Sequence, residues 1–235
     1  MITSNKEEQK YELFINGYLK SSRIICDKIL DNTGVGNTTE GQEEVKEAFI
    51  PAIYIFKHAL ELTVKLFILL TCPNKSKISH NTLDLFDESK ENIKESIKQA
   101  YDKVKAKDNK DAVENNLFYK IAKYFIEEGK KAQFFLEELD KLARLVNKYN
   151  QPDYFVNINS NKGVKPGPDK ENMLFRYPFD IQGNPHGINY LDVNNNFKHI
   201  QEVIKKVKKD TCDLRGISNR ILLMINYIKN DNEVE

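Results

Sequence analysis

Between Phe49 and Leu70 apolar residues recur so densely that little of a helical circumference is left polar. Ile53, Phe56, Leu60, Val64 and Phe67 repeat every three or four residues, while Ala52, Ile55, Ala59, Leu62, Leu66 and Leu69 fill the adjoining face. A helix that is apolar nearly all round is packed on several sides, so this stretch predicts the central element of the fold. It also carries Lys57, His58, Glu61 and Lys65. A lipid-facing span needs about 20 mostly apolar residues, and these interruptions read against one. Pro51 suits a first helical turn, where its missing N–H costs little, and Thr71, Cys72 and Pro73 close the element. A further helix is expected from about Ser79.

The flanking patterns predict more helices. Tyr11, Phe14, Ile15, Tyr18, Leu19, Ile24, Ile25 and Ile29 keep helical spacing up to a turn-rich cluster from Asn32 to Gly41. That cluster contains Gly34 and Gly36, but no strand precedes it and no Gly-Lys-Ser/Thr ending follows, so it reads as a polar connection and not a phosphate loop. Leu83, Leu85, Phe86, Ile93, Ile97, Tyr101 and Val104 outline a long helix with a charged outer face. Residues 112–127 and 131–149 give two more amphipathic patterns, split at Gly129. From 151 to 187 Asn, Gly, Pro and Asp dominate, and two short extended segments around MLFRYPFD and INYLDV predict a hairpin or a strap across the bundle. Asp192 or Asn194 then caps a final long helix in which Gly216 is a candidate bend. The expected fold is therefore all-α: a single up-and-down helical bundle over 1–235, with at least five helices around residues 52–69 and a loop-rich insertion at 150–193.

Composition changes this picture little. The chain of 235 residues has a formal net charge of +1, which gives no global electrostatic footprint for nucleic acid. Cys26, Cys72 and Cys212 are far apart and lack metal-ligand or paired spacing, so neither a disulfide framework nor a metal site is expected and a reducing cytoplasm fits. The N-terminal MITSNKEEQKYE has no apolar segment after a basic start, so no signal peptide is expected. HExxH, Gly-x-Ser-x-Gly and nucleotide-binding glycine fingerprints are absent, which leaves metalloprotease, hydrolase and kinase readings without support. No cofactor is implied.

Two stretches carry a resemblance. Phe56-Lys57-His58-Ala59-Leu60-Glu61-Leu62-Thr63-Val64-Lys65, followed by Ser79-His80-Asn81-Thr82-Leu83-Asp84-Leu85, is similar to the Arg-His-x-x-Glu-Leu-x-x-Lys and Gly-His-Asp-Leu-x-x-Leu pattern of prokaryotic HEPN-like helical proteins. Leu174-Phe175-Arg176-Tyr177-Pro178-Phe179-Asp180 resembles an Arg-Tyr-Pro element of some such chains. Lys57 stands where the pattern has Arg, and Asn81 where it has Asp. The resemblance implies an up-and-down bundle, usually dimeric, of antiviral or toxin–antitoxin systems, and in many members metal-independent ribonuclease activity. The Arg-x4–6-His signature of the ribonucleases is not present in this chain.

His58, Glu61 and Lys65 lie at i, i+3 and i+7, hence along one helix face, and the turn that follows can bring His80 alongside. If Arg176 folds over that face, the four residues His58, Glu61, His80 and Arg176 form a candidate catalytic cluster. Metal-independent RNA cleavage needs a base, an acid and a cation for the developing phosphorane charge. Either histidine suits proton transfer, and Arg176 or Lys65 suits charge stabilisation. Lys57, Lys65, Asn81 and Tyr177 are candidate binding residues, and Lys205 and Lys209 are candidate phosphate contacts on a face that otherwise reads as solvated. The same polar line also reads as a structural ion pair that fixes helix register, since charges on a buried helix need partners. Two functional classes follow: an RNA-directed effector, and a non-catalytic subunit that binds a partner protein or nucleic acid.

Overall fold

The computed structural model describes residues 5–32, 39–71, 82–105, 119, 122–123, 126–127, 132–151 and 193–230. Five helices account for nearly all of them: α1 (Asn5–Asn32), α2 (Thr39–Thr71), α3 (Thr82–Lys105), α4 (Ala132–Tyr149) and α5 (Val193–Asn230). The described residues between 119 and 127 are helical too, and no strand occurs among the described residues. The fold is all-α. The hairpin or strap expected within 150–193 lies outside the described residues, apart from the turn at Asn150 that ends α4.

The apolar circumference of α2 meets helices on several sides, touching α1, α3, α4 and α5. Ala52, Ile53, Phe56, Ala59, Val64 and Ile68 on it are fully buried. Each buried aliphatic or aromatic side chain contributes roughly 1.5–3 kcal/mol relative to exposure, so this stripe is the largest single element of the core. Ile15, Leu19, Cys26 and Ile29 face it from α1, and Val203, Ile204, Val207, Leu214 and Ile217 belong to the same cluster from α5. Phe56 packs on Tyr149 of α4 with ring centroids 4.3 Å apart. Among the described residues no helix is long and apolar enough to cross a membrane.

The start of α2 differs from the expectation. It begins at Thr39, so Pro51 lies inside the helix and not in its first turn. Two features explain the extension. Phe49 and Val45 continue the buried stripe one and two turns upstream, and burial of a continuous apolar face outweighs a local break. Pro51 and Glu47 are both exposed, so the carbonyl that loses its partner lies on the outward side. The last helix runs unbroken as an α-helix through Gly216.

Candidate functional site

Because α2 is enclosed, the polar residues of its sequence are carried into the core. Lys57 and Glu61 are 2% and 3% exposed. One turn apart on the same face, Lys65 donates from Nζ to Glu61 Oε1 at 2.6 Å. The imidazole Nδ1 of His58 lies 3.6 Å from Glu61 Oε2, too far for a hydrogen bond but close enough for electrostatic influence. Lys57 is engaged as well. A buried carboxylate with a charged partner at short distance is satisfied, and removing one partner strands the other in a low-dielectric interior.

His58 differs from its neighbours in reaching the surface, with 29% of its side chain exposed. The edge contact with Tyr18 of α1 places the ring centroids 4.7 Å apart at 89°. Tyr54, one turn earlier on α2, stacks on the same imidazole at 6.1 Å and 13°. Phe14 stacks on Tyr18 in turn and is 53% exposed. The result is an aromatic patch with one imidazole at the α1–α2 surface, above a closed ion pair.

Of the sequence-derived candidates, the structure therefore brings His58, Glu61 and Lys65 together and places Lys57 in the core. Lys205 and Lys209 are exposed on α5, as a solvated face requires. His80, Asn81, Arg176 and Tyr177 lie outside the described residues. Tyr18 and Tyr54 are absent from the candidate set. Tyr54 could have been found from its four-residue spacing to His58, whereas nothing local in the sequence points to Tyr18 on another helix. No group of three or more His, Cys, Asp or Glu positioned to hold a metal occurs among the described residues.

Side-chain hydrogen bonds and ion pairs tie the helices into position. Ser22 Oγ donates to the Ala52 carbonyl at 3.3 Å, joining α1 to α2. Nearby Cys26 is buried, and desolvation pushes its thiol up to about 12, which makes it an inert core residue. Lys94 of α3 pairs with Asp140 of α4 at 2.9 Å. That hydrogen bond holds the Asp140 carboxyl below its ordinary range and raises the Lys94 amine. Lys208 of α5 pairs with Asp27 of α1 at 2.5 Å.

A second polar region joins α4 to α5. Glu138 accepts from Lys141 at 2.7 Å and from Arg220 Nη2. Asp210 accepts from the Tyr149 hydroxyl at 2.8 Å and from Lys148. Sequence reading did not single out these pairs: the contacts of Arg220 with Glu138 and of Lys148 and Tyr149 with Asp210 join separate helices, and the Glu138–Lys141 pair, three residues apart on α4, reads as an ordinary surface pair. No family model, curated protein or solved structure matches this chain.

Proposed function

We propose that the chain is a HEPN-like helical protein of a prokaryotic antiviral or toxin–antitoxin system, working in the cytoplasm as a non-catalytic subunit that binds a partner protein or nucleic acid. The observation that carries the binding reading is the closed state of Glu61. Its carboxylate is buried and held by Lys65 at 2.6 Å, which suits a brace inside the bundle better than a group that exchanges protons with a substrate. The absence of the Arg-x4–6-His signature points the same way. Association with a second copy or a partner protein fits the exposed apolar residues of α1, Leu13, Phe14 and Ile24, because exposed apolar side chains on one helix favour contact with another surface.

The solvent access of His58 favours a second reading, a metal-independent ribonuclease effector. An imidazole beside a buried carboxylate is a serviceable proton-transfer group. Incubating the purified chain with a mixed RNA pool, with and without divalent cations, separates the two. The binding reading expects intact RNA in both conditions. Cleavage by the wild type that is lost in His58→Ala, with the melting temperature unchanged, would establish the ribonuclease instead.

A further inference from the structure

The α4–α5 junction forms an open cleft of ≈ 560 Å³ whose lining carries four cations and two carboxylates. Lys141, Arg144 and Lys148 recur at i, i+3 and i+7 along one face of α4, and Arg220 projects from α5 opposite them. Leu145 and Ile217 supply an apolar part of the lining. The size falls within the range of small-molecule sites, roughly 300–1,000 Å³.

Three of the four cations are fixed in place by acids. Glu138 is 8% exposed and spans the junction, accepting from Lys141 and Arg220. Asp210 is 6% exposed and holds Lys148. Glu138 orients Lys141 and Arg220 without exhausting them, since a guanidinium has five donors and an ammonium three. Arg220 Nε is enclosed and has no hydrogen-bond partner, so the 39% exposure of this side chain comes from its other atoms. Arg144 has no ion-pair partner among the described residues. Gly216 lines the same cleft, and a Cβ there would stand 3.2 Å from Arg220 Nη1 and 3.3 Å from Nη2. The glycine is thus what lets the guanidinium lie flat against α5.

We infer that this cleft binds a small phosphate-bearing molecule, with Arg144 and Arg220 on the phosphate oxygens and Lys141 and Lys148 completing the charge. Guanidinium forks match phosphate oxygens two at a time, so a pair of arginines facing one cleft selects phosphate esters over single carboxylates. Leu145 and Ile217 close the base of the cleft but are 7% and 2% exposed, so recognition rests on the phosphate group. Asp213 in the lining opposes the anion and limits the affinity. This site is separate from the α1–α2 surface, and its existence does not depend on the function proposed above.

Calorimetric titration of the full chain with ATP, inorganic triphosphate, citrate and a short single-stranded RNA tests the inference. Saturable 1:1 binding of ATP or triphosphate is expected, with citrate at least about tenfold weaker. ATP and triphosphate are expected to bind equally within a few-fold, because the lining offers little accessible apolar surface. Arg144→Ala, at an exposed position where folding is not at stake, weakens binding about tenfold, as loss of a charge-assisted contact does. Asp213→Asn strengthens it a few-fold. Gly216→Ala weakens binding, since the Arg220 guanidinium must give way by a few tenths of an ångström to the added methyl. Absence of ATP and triphosphate binding, affinities indifferent to Arg144→Ala, or binding of the RNA alone would overturn the inference.

Discussion

The interior of α2 and the α4–α5 cleft use the same residue types to different ends. In α2 a carboxylate and an ammonium four residues apart are both nearly enclosed, with the Lys65 and Glu61 side chains 12% and 4% exposed. In the cleft two carboxylates are buried but the cations they hold remain accessible, Arg220 at 39% and Lys148 at 25%. The first arrangement spends its polarity on the fold. The second presents charge to a bound molecule. Identical chemistry thus becomes brace or site according to whether the cation can be reached from outside.

The two regions meet at Tyr149, whose ring packs on Phe56 of α2 and whose hydroxyl donates to Asp210 beside the cleft. Cutting the apolar half of this link has the largest expected effect. Phe56→Ala should lower unfolding free energy by about 3–5 kcal/mol, through lost burial and the cavity left behind. Urea unfolding followed by circular dichroism measures this, and a loss under about 1 kcal/mol would show that Phe56 is not in a packed core. Tyr149→Phe removes only the hydroxyl. Because Asp210 keeps Lys148, the same measurement should give a loss of about 1 kcal/mol, and a much larger one would mean that the cleft wall depends on that single bond.

Smallest is the effect of the clasp between α3 and α4. Asp140 titrates below its ordinary range when folded, so its contribution is present above the unfolded value of about 3.9 and is lost as pH falls through the folded value. Lys94 is raised, so its share is complete below about 10.4 and fades as pH rises through its folded value. The side chains are 44% and 26% exposed, and screening limits a surface pair to a few tenths of a kcal/mol. Asp140→Asn should therefore flatten slightly the fall in urea midpoint between about pH 5 and pH 3. An unchanged slope would remove this pair from the account.

How much of this was legible in the sequence depended on the reach of each interaction. Helices appear because their apolar periods are local, as with Ile53, Phe56, Leu60 and Val64. The Glu61–Lys65 pair was readable for the same reason, being four residues apart on one face. The early start of α2 was hidden by Pro51, which resembles a helix beginning until Val45 and Phe49 are seen to be buried. The cleft left only a partial local trace, the Lys141, Arg144 and Lys148 spacing on α4, since its bridging pairs join residues 62 and 82 positions apart. Only the packing of α4 against α5 brings them together. Tyr18 beside His58 escaped notice for the same physical reason.

The central claim is that Glu61 braces the bundle, and it is tested most directly by unfolding free energies of Glu61→Leu, Lys65→Met and the double variant. Each single change removes the closest opposite charge of a nearly enclosed group, and should cost up to about 3–5 kcal/mol. Replacing both by apolar residues of similar volume should recover most of that loss, giving a coupling energy of at least about 2 kcal/mol. If Glu61→Leu alone leaves stability within about 0.5 kcal/mol of wild type, or the double variant merely sums the two losses, the carboxylate is not a brace and the proposed division between interior and cleft fails.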